Sequence, residues 1–356
     1  MDVGVYVDAN LDIGEKAKLL EDNGFSHLWV YESPLVFGEV YMAMLQAAHA
    51  TETINIGPGV TQPLSRPAFN SAQGMATLAK AAPGRTFFGI GIGNSARWSI
   101  GMKPATQDVM FEHVKNVREL LAGEETIYRE NGREKPIRFL HPDGRWISLE
   151  NDVDIWVSAF GPKGQKRSGA EADGVLVRWE GAAGIEQVRA NLAEGANTVD
   201  RDPSEVQIGT VFAVYPIENE AELETQEARD ALGPLVVSRL RYLTANHTDS
   251  SEVPEPFRPG FDAYMEYRAG LDDETRHTDN YEGYLVFVPE HLQEFVTPET
   301  MRTIATIGPA EEVTAELMKM ADAGVDQVTL QMAGPPRSWC QRMGDQVLPA
   351  LKQNSD

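Results

Sequence analysis

Several polar residues directly follow the apolar runs that we interpret as buried β-strands. Asp8 follows the first run, Glu32 the second and Asn94 the fourth, and Arg178 closes the sixth. A carboxylate can relay a proton, an amide can orient a substrate, and a guanidinium can pair with an anion. If the strands are parallel, their carboxyl ends meet at one edge and these groups line one site, although each alone could be ordinary surface.

The segment SAFGPKGQK, residues 158–166, is the most explicit candidate for anion binding. Its turn at 161–164 would open a helix, so free backbone N–H groups and the positive end of the helix would point towards the same edge. A phosphate is a natural ligand of such a turn. The alternative is a plain strand-to-helix connection with proline at the first helical position.

Two further segments carry glycines inside apparent strands. In INIGPGVTQP, residues 54–63, Gly57, Pro58 and Gly59 interrupt branched side chains, which a strand tolerates at a bulge or where a ligand or another backbone comes close. FFGIGIGNS, residues 87–95, misses the third glycine of the dinucleotide fingerprint, so a Rossmann site is not favoured. Its alternating glycines indicate that something flat or bulky, or a neighbouring helix, packs on that face.

These residues need a scaffold of parallel strands, and the sequence supplies one. Eight apolar runs lack the alternation of a half-exposed sheet, and helical patterns separate them, which is typical of β/α units. Eight units in 356 residues favour a closed (β/α)8 TIM barrel over an open sheet. The predicted strands are 3–7, 27–31, 54–60, 86–93, 154–159, 174–177, 206–215 and 327–331, and the predicted helices include 12–23, 39–50, 67–81, 106–122, 163–170 and 182–195.

We predict one domain over residues 1–356 with two insertions. The first, about 124–152, contains ENGR and PDGR, which have the composition of hairpin turns. The second, about 216–305, lies between strands seven and eight and would form a lid or a wall of the substrate pocket. Its aromatic residues either close the pocket to water or form the insertion's own small core, and they include Tyr242, Tyr264, Tyr267, Tyr281 and Tyr284.

The composition narrows the classes of function. A net charge of −23 opposes binding to nucleic acid or to an anionic membrane, and no apolar run is long enough to span a bilayer. The single cysteine, Cys340, rules out an internal disulfide and favours a cytoplasmic location. The seven histidines show no metal-binding spacing, so we predict no protein-bound metal.

The run VYMAMLQAAHATETINIGPGVTQPLSRPAFNSAQGMATLAKAAPGRTFFGIGIGNS resembles the bacterial-luciferase-like superfamily, most of all the branch of the deazaflavin-dependent methylene-tetrahydromethanopterin reductases. VSAFGPKGQKRSGAEADGVL and IGPAEEVTAELMKMADAGVDQVTL are similar to that family's fifth-to-sixth-strand and last-helix segments. The resemblance implies coenzyme F420, or alternatively FMN, at the barrel mouth, with a bulged third strand and a non-prolyl cis peptide matching Gly59-Val60. The implied cofactor-binding residues are Gly59, Val60, Thr61, Gly93, Asn94, Ser158, Phe160, Gly161, Pro162, Lys163, Gly164 and Arg178.

The sequence also departs from this branch. Many deazaflavin-dependent members have an Asp-His pair where this chain has Glu32-Ser33, and relatives often carry a carboxylate where it has Asn94. The imidazole that could donate a proton is therefore missing at its usual place. Asp8, Glu32 and Asn94 remain as the candidate catalytic residues that orient a substrate or relay a proton.

Three functions follow from the resemblance. The first is a deazaflavin- or flavin-dependent oxidoreductase that transfers a hydride between the coenzyme and a small organic substrate. The second is an FMN-dependent two-component monooxygenase, and the third is a flavin-binding protein without turnover. The resemblance also implies a homodimer that pairs through helices near strands two and three, including VYMAMLQAAH.

Overall fold

A computed structural model describes residues 1–353 and shows eight parallel strands in one sheet. The strands are ordered three, two, one, eight, seven, six, five, four, and two isolated bridges, Ile56 to Thr86 and Thr61 to Ile90, join strand three to strand four. These bridges connect the two edges, so the sheet closes into a barrel. The predicted (β/α)8 TIM barrel is confirmed.

The strands lie close to their predicted positions, with two differences. Strand four ends before the glycines at 91 and 93, and the seventh apolar run splits into two strands. Its second part, Val214–Pro216, pairs with Thr306–Gly308 in a separate two-stranded sheet. The eight barrel strands are Asp2–Val7, His27–Val30, Asn55–Pro58, Phe87–Ile90, Asp154–Ser158, Gly174–Arg178, Gln207–Phe212 and Gln327–Leu330.

The helices begin and end where the sequence provides caps. Glu39 and Thr106 accept hydrogen bonds from the first turns of their helices, and Gly24 and Gly324 follow the ends of two others with φ of 85° and 83°. The α-helices are Ile13–Asp22, Val40–Ala50, Ala68–Ala81, Asn94–Trp98, Gln107–Leu121, Pro162–Glu171, Ala182–Ala196, Gln226–Asn246, Arg258–Ala269, Arg276–Asp279, Pro298–Ile304, Ala310–Asp322, Arg337–Arg342 and Leu348–Gln353. No helix in the part of the chain that is described is long and apolar enough to cross a membrane.

The chain divides into two compact units. The first comprises Met1–Ala96, Pro104–Val211 and Lys319–Thr329, and it holds the barrel strands except for the ends of strands seven and eight. The second comprises Arg97–Lys103, Phe212–Met318 and the described residues from Leu330 onward, so it contains the long insertion. The assignment of the whole chain to a single domain stays a prediction.

The first insertion contains one hairpin rather than two. Thr126–Glu130 and Arg133–Ile137 pair in antiparallel fashion, and Asn131 and Gly132 in the ENGR turn have positive φ, as a tight hairpin requires. The second predicted hairpin turn, PDGR at 142–145, is wrong because no strands flank it. The ammonium of Lys80 donates to two carbonyl oxygens of that segment, which leaves them unavailable for a strand ladder.

The helix Val40–Ala50 is mostly covered within the chain. Five of its apolar residues are buried, and the exposed apolar side chain is Met42, at 63%. The apolar surface that prompted the prediction of a homodimer is thus largely used for packing on the barrel. The homodimer stays a prediction.

The barrel interior is filled with aromatic rings. Trp29 on strand two lies with its ring centroid 4.3 Å from that of Phe87 and 5.7 Å from that of Trp156. Tyr6 on strand one lies 6.1 Å from Trp29. The indole N–H of Trp29 donates to Gln327 Oε1 at 2.9 Å, so the polar group of this buried ring is satisfied across the barrel.

Glycines on the neighbouring strands make room for these rings. A Cβ at Gly59 would lie 2.7 Å from Trp29 Cβ and 2.8 Å from Tyr6, and one at Gly89 would lie 2.7 Å from the Trp29 ring. A Cβ at Gly57 would overlap Phe87. The space at Gly57 and Gly59 is thus required by rings of the protein itself, and the role of Gly59 in cofactor binding stays a prediction.

We expect Gly174→Ala to destabilise the barrel by about 2 kcal/mol, because the added methyl would overlap the ring of Trp156. Urea unfolding measures this loss. The same substitution in a Trp156→Leu background should cost much less, since the ring is gone. Gly270→Ala, where the nearest atom would be Tyr267 O at 3.5 Å, is the control. An equal loss in both backgrounds would contradict the packing argument.

His113 is a buried ionisable group in the helix Gln107–Leu121. Its ring stacks on Phe88, and its Nε2 lies 3.2 Å from Ser71 Oγ. Burial lowers the pKa of His113 to about 4. Between that value and the ordinary value near 6.5 the unfolded chain binds a proton that the folded chain does not, so stability falls as the pH falls.

We expect this histidine to contribute a pH-dependent loss on the order of 3 kcal/mol between pH 6.5 and 4. In His113→Phe the slope of the unfolding free energy against pH should fall by up to about 1.4 kcal/mol per pH unit in this window. Phe88→Leu perturbs the same packing without removing a titrating group and should leave the slope unchanged. An unaltered slope in His113→Phe would refute the assignment.

Candidate functional site

The third strand ends in a bulge at the mouth of the barrel. The peptide bond Gly59–Val60, which the sequence resemblance singles out, is cis. Beyond it the chain returns to strand four, where Thr61 N donates to Gly89 O at 2.9 Å and Gly91 N donates to Thr61 O at 2.9 Å. Two backbone hydrogen bonds of Thr61 thus hold the end of the bulge against strand four and the residue that follows it.

The bulge places Val60 beside two other strand ends. A Cβ at Gly91 would lie 3.0 Å from Val60 Cγ2 and 3.4 Å from Ser158 Cβ, so a side chain at position 91 would crowd both residues. Val60 and Ser158 are half-buried. Together the three residues form a small surface at the carboxyl ends of strands three, four and five.

Two other predicted cofactor-binding residues, Gly59 and Gly93, pack closely against side chains of the protein, and their role in binding stays a prediction. Gly59 is buried against Trp29 and Tyr6, and Gly93 has φ of 80° with the side chain of Gln62 at 2.7 Å from its Cβ position. A larger residue at Gly59 would therefore test core packing and not ligand binding. Thr61 is buried and its Oγ1 has no hydrogen-bond partner among the described residues.

The turn after strand five has the features of an anion site. Gly161 caps the helix Pro162–Glu171 in an extended conformation, and proline occupies the first helical position. The amides of Lys163 and Gly164 then have no acceptor within the helix, and the positive end of the helix dipole lies beside them. Lys163 is exposed, and a Cβ at Gly161 would meet nothing within 4 Å, so the turn is open to a ligand.

Phe160 and Arg178 complete this turn. The Phe160 ring is 47% exposed, and the Arg178 guanidinium lies 4.7 Å from the ring centroid. Strand six therefore places a cation next to the end of strand five, as the sequence predicted. The structure brings together the residues Ser158, Phe160, Gly161, Pro162, Lys163, Gly164 and Arg178.

Gln107 was not predicted and lies at the same turn. Its Nε2 is 3.3 Å from the Cβ position of Gly164, and its buried Oε1 has no hydrogen-bond partner among the described residues. The only sequence signal was a polar residue next to the N-cap Thr106, in the helix that follows strand four. That signal is weak because helix starts are usually polar.

Asp8 is held as an ionised carboxylate. Lys16 Nζ donates to its Oδ1 at 2.7 Å, and Asn10 Nδ2 donates to its Oδ2. Burial raises the pKa of Asp8, but the hydrogen bonds and the charge of Lys16 outweigh it, so the pKa lies below its ordinary value. Asp8 can accept a hydrogen bond or orient a substrate, but it does not carry a proton near neutral pH.

Glu32 has the opposite electrostatics. It is 7% exposed, its Oε1 accepts from Arg66 Nε at 2.9 Å, and its buried Oε2 has no hydrogen-bond partner among the described residues. Burial raises the pKa of Glu32, and the nearby Thr61 hydroxyl and Arg66 offset this only in part, so the pKa lies above its ordinary value. Arg66 also pairs with Glu39 and lies 4.9 Å from the ring centroid of Tyr41.

Asn94 lies just beyond the end of strand four. It is exposed at the first position of the short helix Asn94–Trp98. The contact between the end of strand two and this helix is made by its neighbour, because Ser33 Oγ lies 3.2 Å from Ser95 Oγ. No group of His, Cys, Asp or Glu in residues 1–353 is arranged to hold a metal ion.

A family model described as luciferase-like monooxygenase matches residues 7–327, which is most of the chain. The chain belongs to the luciferase-like monooxygenase family. The resemblance seen in the sequence is thereby confirmed.

Two relatives of this family member are 5,10-methylenetetrahydromethanopterin reductases. The one from Methanolobus tindarius is 30% identical over 218 residues, which are 60% of this chain and 64% of that protein, so the chain spans just under two thirds of its length. The one from Archaeoglobus fulgidus is 24% identical over 350 residues and 94% of each chain. The solved coenzyme F420-dependent tetrahydromethanopterin reductase from Methanopyrus kandleri matches 98% of this chain and 99% of that one with a TM-score of 0.67 and 20% identity, which shows a shared fold.

We expect Arg66→Gln to destabilise this luciferase-like family member by about 3 kcal/mol at pH 8, because it leaves Glu32 buried without a cation. A raised pKa means that the cost vanishes as the pH falls and the carboxyl is protonated, so the loss should be smaller at pH 5. Urea unfolding at both pH values measures the difference.

Two variants control this experiment. Glu32→Gln in the Arg66→Gln background should recover most of the stability at pH 8, since no buried charge remains. Glu39→Gln removes the more exposed carboxylate from the same arginine and should cost less than about 1 kcal/mol. A loss in Arg66→Gln that is equal at both pH values would show that Glu32 is not the source.

Proposed function

We propose that this chain is a deazaflavin-dependent oxidoreductase that binds coenzyme F420 and transfers a hydride between it and a small organic substrate. The observation that carries the proposal is the open turn after strand five, with its free amides and Lys163, next to the small surface formed by Val60, Gly91 and Ser158. A ligand with a phosphate and a flat ring matches both features. The reductase relatives, and the F420-dependent enzyme with the same fold, support F420 over FMN.

The residues at the turn fit the anionic part of such a coenzyme. In a chain with a net charge of −23, an anionic ligand needs local cations, and Lys163 and Arg178 supply them at the ends of strands five and six. The amides of Lys163 and Gly164 would donate to phosphate oxygens. The unpredicted Gln107, whose Nε2 lies 3.3 Å from the Cβ position of Gly164, offers a further donor beside the turn.

The coenzyme, when bound, supplies the hydride, and the protein's own groups position the reactants and manage protons. Val60 would support one face of the ring, and Ser158 would border it. We assign the proton-holding role to Glu32 rather than to Asp8, because burial raises the pKa of Glu32 whereas Lys16 keeps Asp8 ionised. Asp8 and Asn94 then orient the substrate.

The cofactor assignment is tested by titrating the purified protein with coenzyme F420 and with FMN, each oxidised and reduced, while ring fluorescence is recorded. We expect binding of F420 at least tenfold tighter than that of FMN. Tight binding of FMN without binding of F420 would replace the proposal with the two-component monooxygenase. Binding of neither would remove both.

We expect Lys163→Gln to weaken coenzyme binding about tenfold, because it removes a charge-assisted hydrogen bond to the phosphate, and the effect should shrink at high salt. Lys166→Gln is the matched control: it lies one turn along the same helix, and its ammonium pairs with Glu194 at 2.7 Å. The same titration measures both variants. An equal effect of the two substitutions would point to general electrostatics and not to a specific site.

A further inference from the structure

Two arginines in the long insertion form no ion pair with any carboxylate of residues 1–353. Arg241, on the helix Gln226–Asn246, is 7% exposed; its Nε donates to Tyr264 OH at 3.3 Å and its Nη2 to Glu282 O. Arg268, on the helix Arg258–Ala269, donates from Nη1 to Thr244 O at 2.9 Å. Arg241 Nη1 and Arg268 Nε are buried and have no hydrogen-bond partner among the described residues.

This lack of an acidic partner is a local feature of the insertion. The chain has 54 acidic residues, and other arginines of the same unit use them: Arg302 pairs with Glu220, and Arg342 with Glu222 at 2.8 Å. A guanidinium cannot shed its proton at any ordinary pH, so burial cannot neutralise it. A buried charge is therefore normally paired, and an unpaired one creates a demand for an anion.

The groups that contact the two arginines are a phenol and backbone carbonyls, and the carboxylates of Asp279 and Glu282 reach the neighbouring Tyr267 through their charge alone. Tyr264 is 1% exposed, and its OH donates to Asn280 Oδ1 at 2.6 Å, while its ring stacks on Tyr267. Burial raises the pKa of both Tyr264 and Tyr281. The positive charges of Arg241 and Arg268 lower these pKa values only in part, so both remain above the ordinary value of a phenol. The phenols thus supply no negative charge, and both guanidiniums belong to one cluster.

We propose that Arg241 and Arg268 form a binding site for the oxyanion of a small molecule, either a carboxylate or a phosphate group. The unpartnered N–H groups are Arg241 Nη1 and Arg268 Nε, and guanidinium groups match the geometry of carboxylate and phosphate oxygens. The tyrosine rings offer an apolar lining for the rest of such a molecule. An incoming oxyanion would compete with Glu282 O for Arg241, so binding should loosen the segment around Asn280–Glu282. This site lies wholly within the second unit and does not depend on the proposed oxidoreductase function.

The test uses the full chain and three salts at equal ionic strength: sodium phosphate, sodium benzoate and sodium chloride. We expect phosphate or benzoate to raise the melting temperature above its value in chloride, and titration calorimetry to give the dissociation constant. A response to phosphate alone, to benzoate alone or to both tells which oxyanion the site accepts. Arg268→Gln should weaken binding about tenfold or more, because it removes one charged donor.

Two further variants complete the design. Arg241→Lys keeps the charge but loses the planar fork, so binding should weaken while the fold is retained. Arg302→Gln removes a surface arginine of the same unit that is already paired with Glu220, and it should bind as the wild type does. The proposal is overturned if neither anion stabilises the wild type more than chloride, or if Arg268→Gln binds as tightly as the wild type. Neither result would alter the titration with coenzyme F420.

Discussion

The position of Trp29 at the centre of the barrel is the constraint on which the rest of the first unit depends. Its ring lies against Phe87 and Trp156, and its N–H is bonded to Gln327 on strand eight. A ring of this size leaves no room for a side chain on the strands that face it, so Gly59 and Gly89 are held there by sterics. TIM barrels are usually filled by branched aliphatic side chains, whereas this one is filled by rings set against glycines.

The shape of the mouth follows from this packing. Gly59 is packed against Trp29 and Tyr6, and the side chain of the next residue, Val60, lies beside the Cβ position of Gly91. The glycines in strand four and just beyond its end therefore have two functions. Gly89 accommodates the core, and Gly91 keeps the surface between Val60 and Ser158 open. The candidate site is in this sense the top layer of the barrel interior.

The local electrostatic environment gives the acidic groups near the mouth different protonation behaviour. Asp8 and Glu32 follow neighbouring strands, yet Lys16 holds one ionised while burial favours the protonated form of the other. Pairs of carboxyl groups with opposite shifts are a common basis for dividing acid and base roles. In the second unit the imbalance is one of cations: Arg241 and Arg268 form no ion pair with an acidic residue in the part of the chain that the structure describes, although the sequence is rich in acidic residues.

The sequence by itself determined the architecture and most of the candidate cofactor site. Strand and helix periodicity fixed eight β/α units, and parallel strands bring their carboxyl ends to one mouth, so Ser158, the turn at 161–164 and Arg178 could be grouped without coordinates. These features are local: each depends on a few consecutive residues and on a general rule of the fold.

The features that only the tertiary structure decided all depend on contacts between segments that are distant in the sequence. The reason for Gly57 and Gly59 lies in rings on other strands, and the pattern within one strand cannot identify the side chain that fills the space a glycine leaves. The proximity of Gln107 to Gly164, the different states of Asp8 and Glu32, and the unpaired Arg241 all arise from burial and pairing across the fold. The pKa of a side chain and the space around it depend on how deeply it is buried and on which residues it contacts. Both are known only once the three-dimensional fold is known.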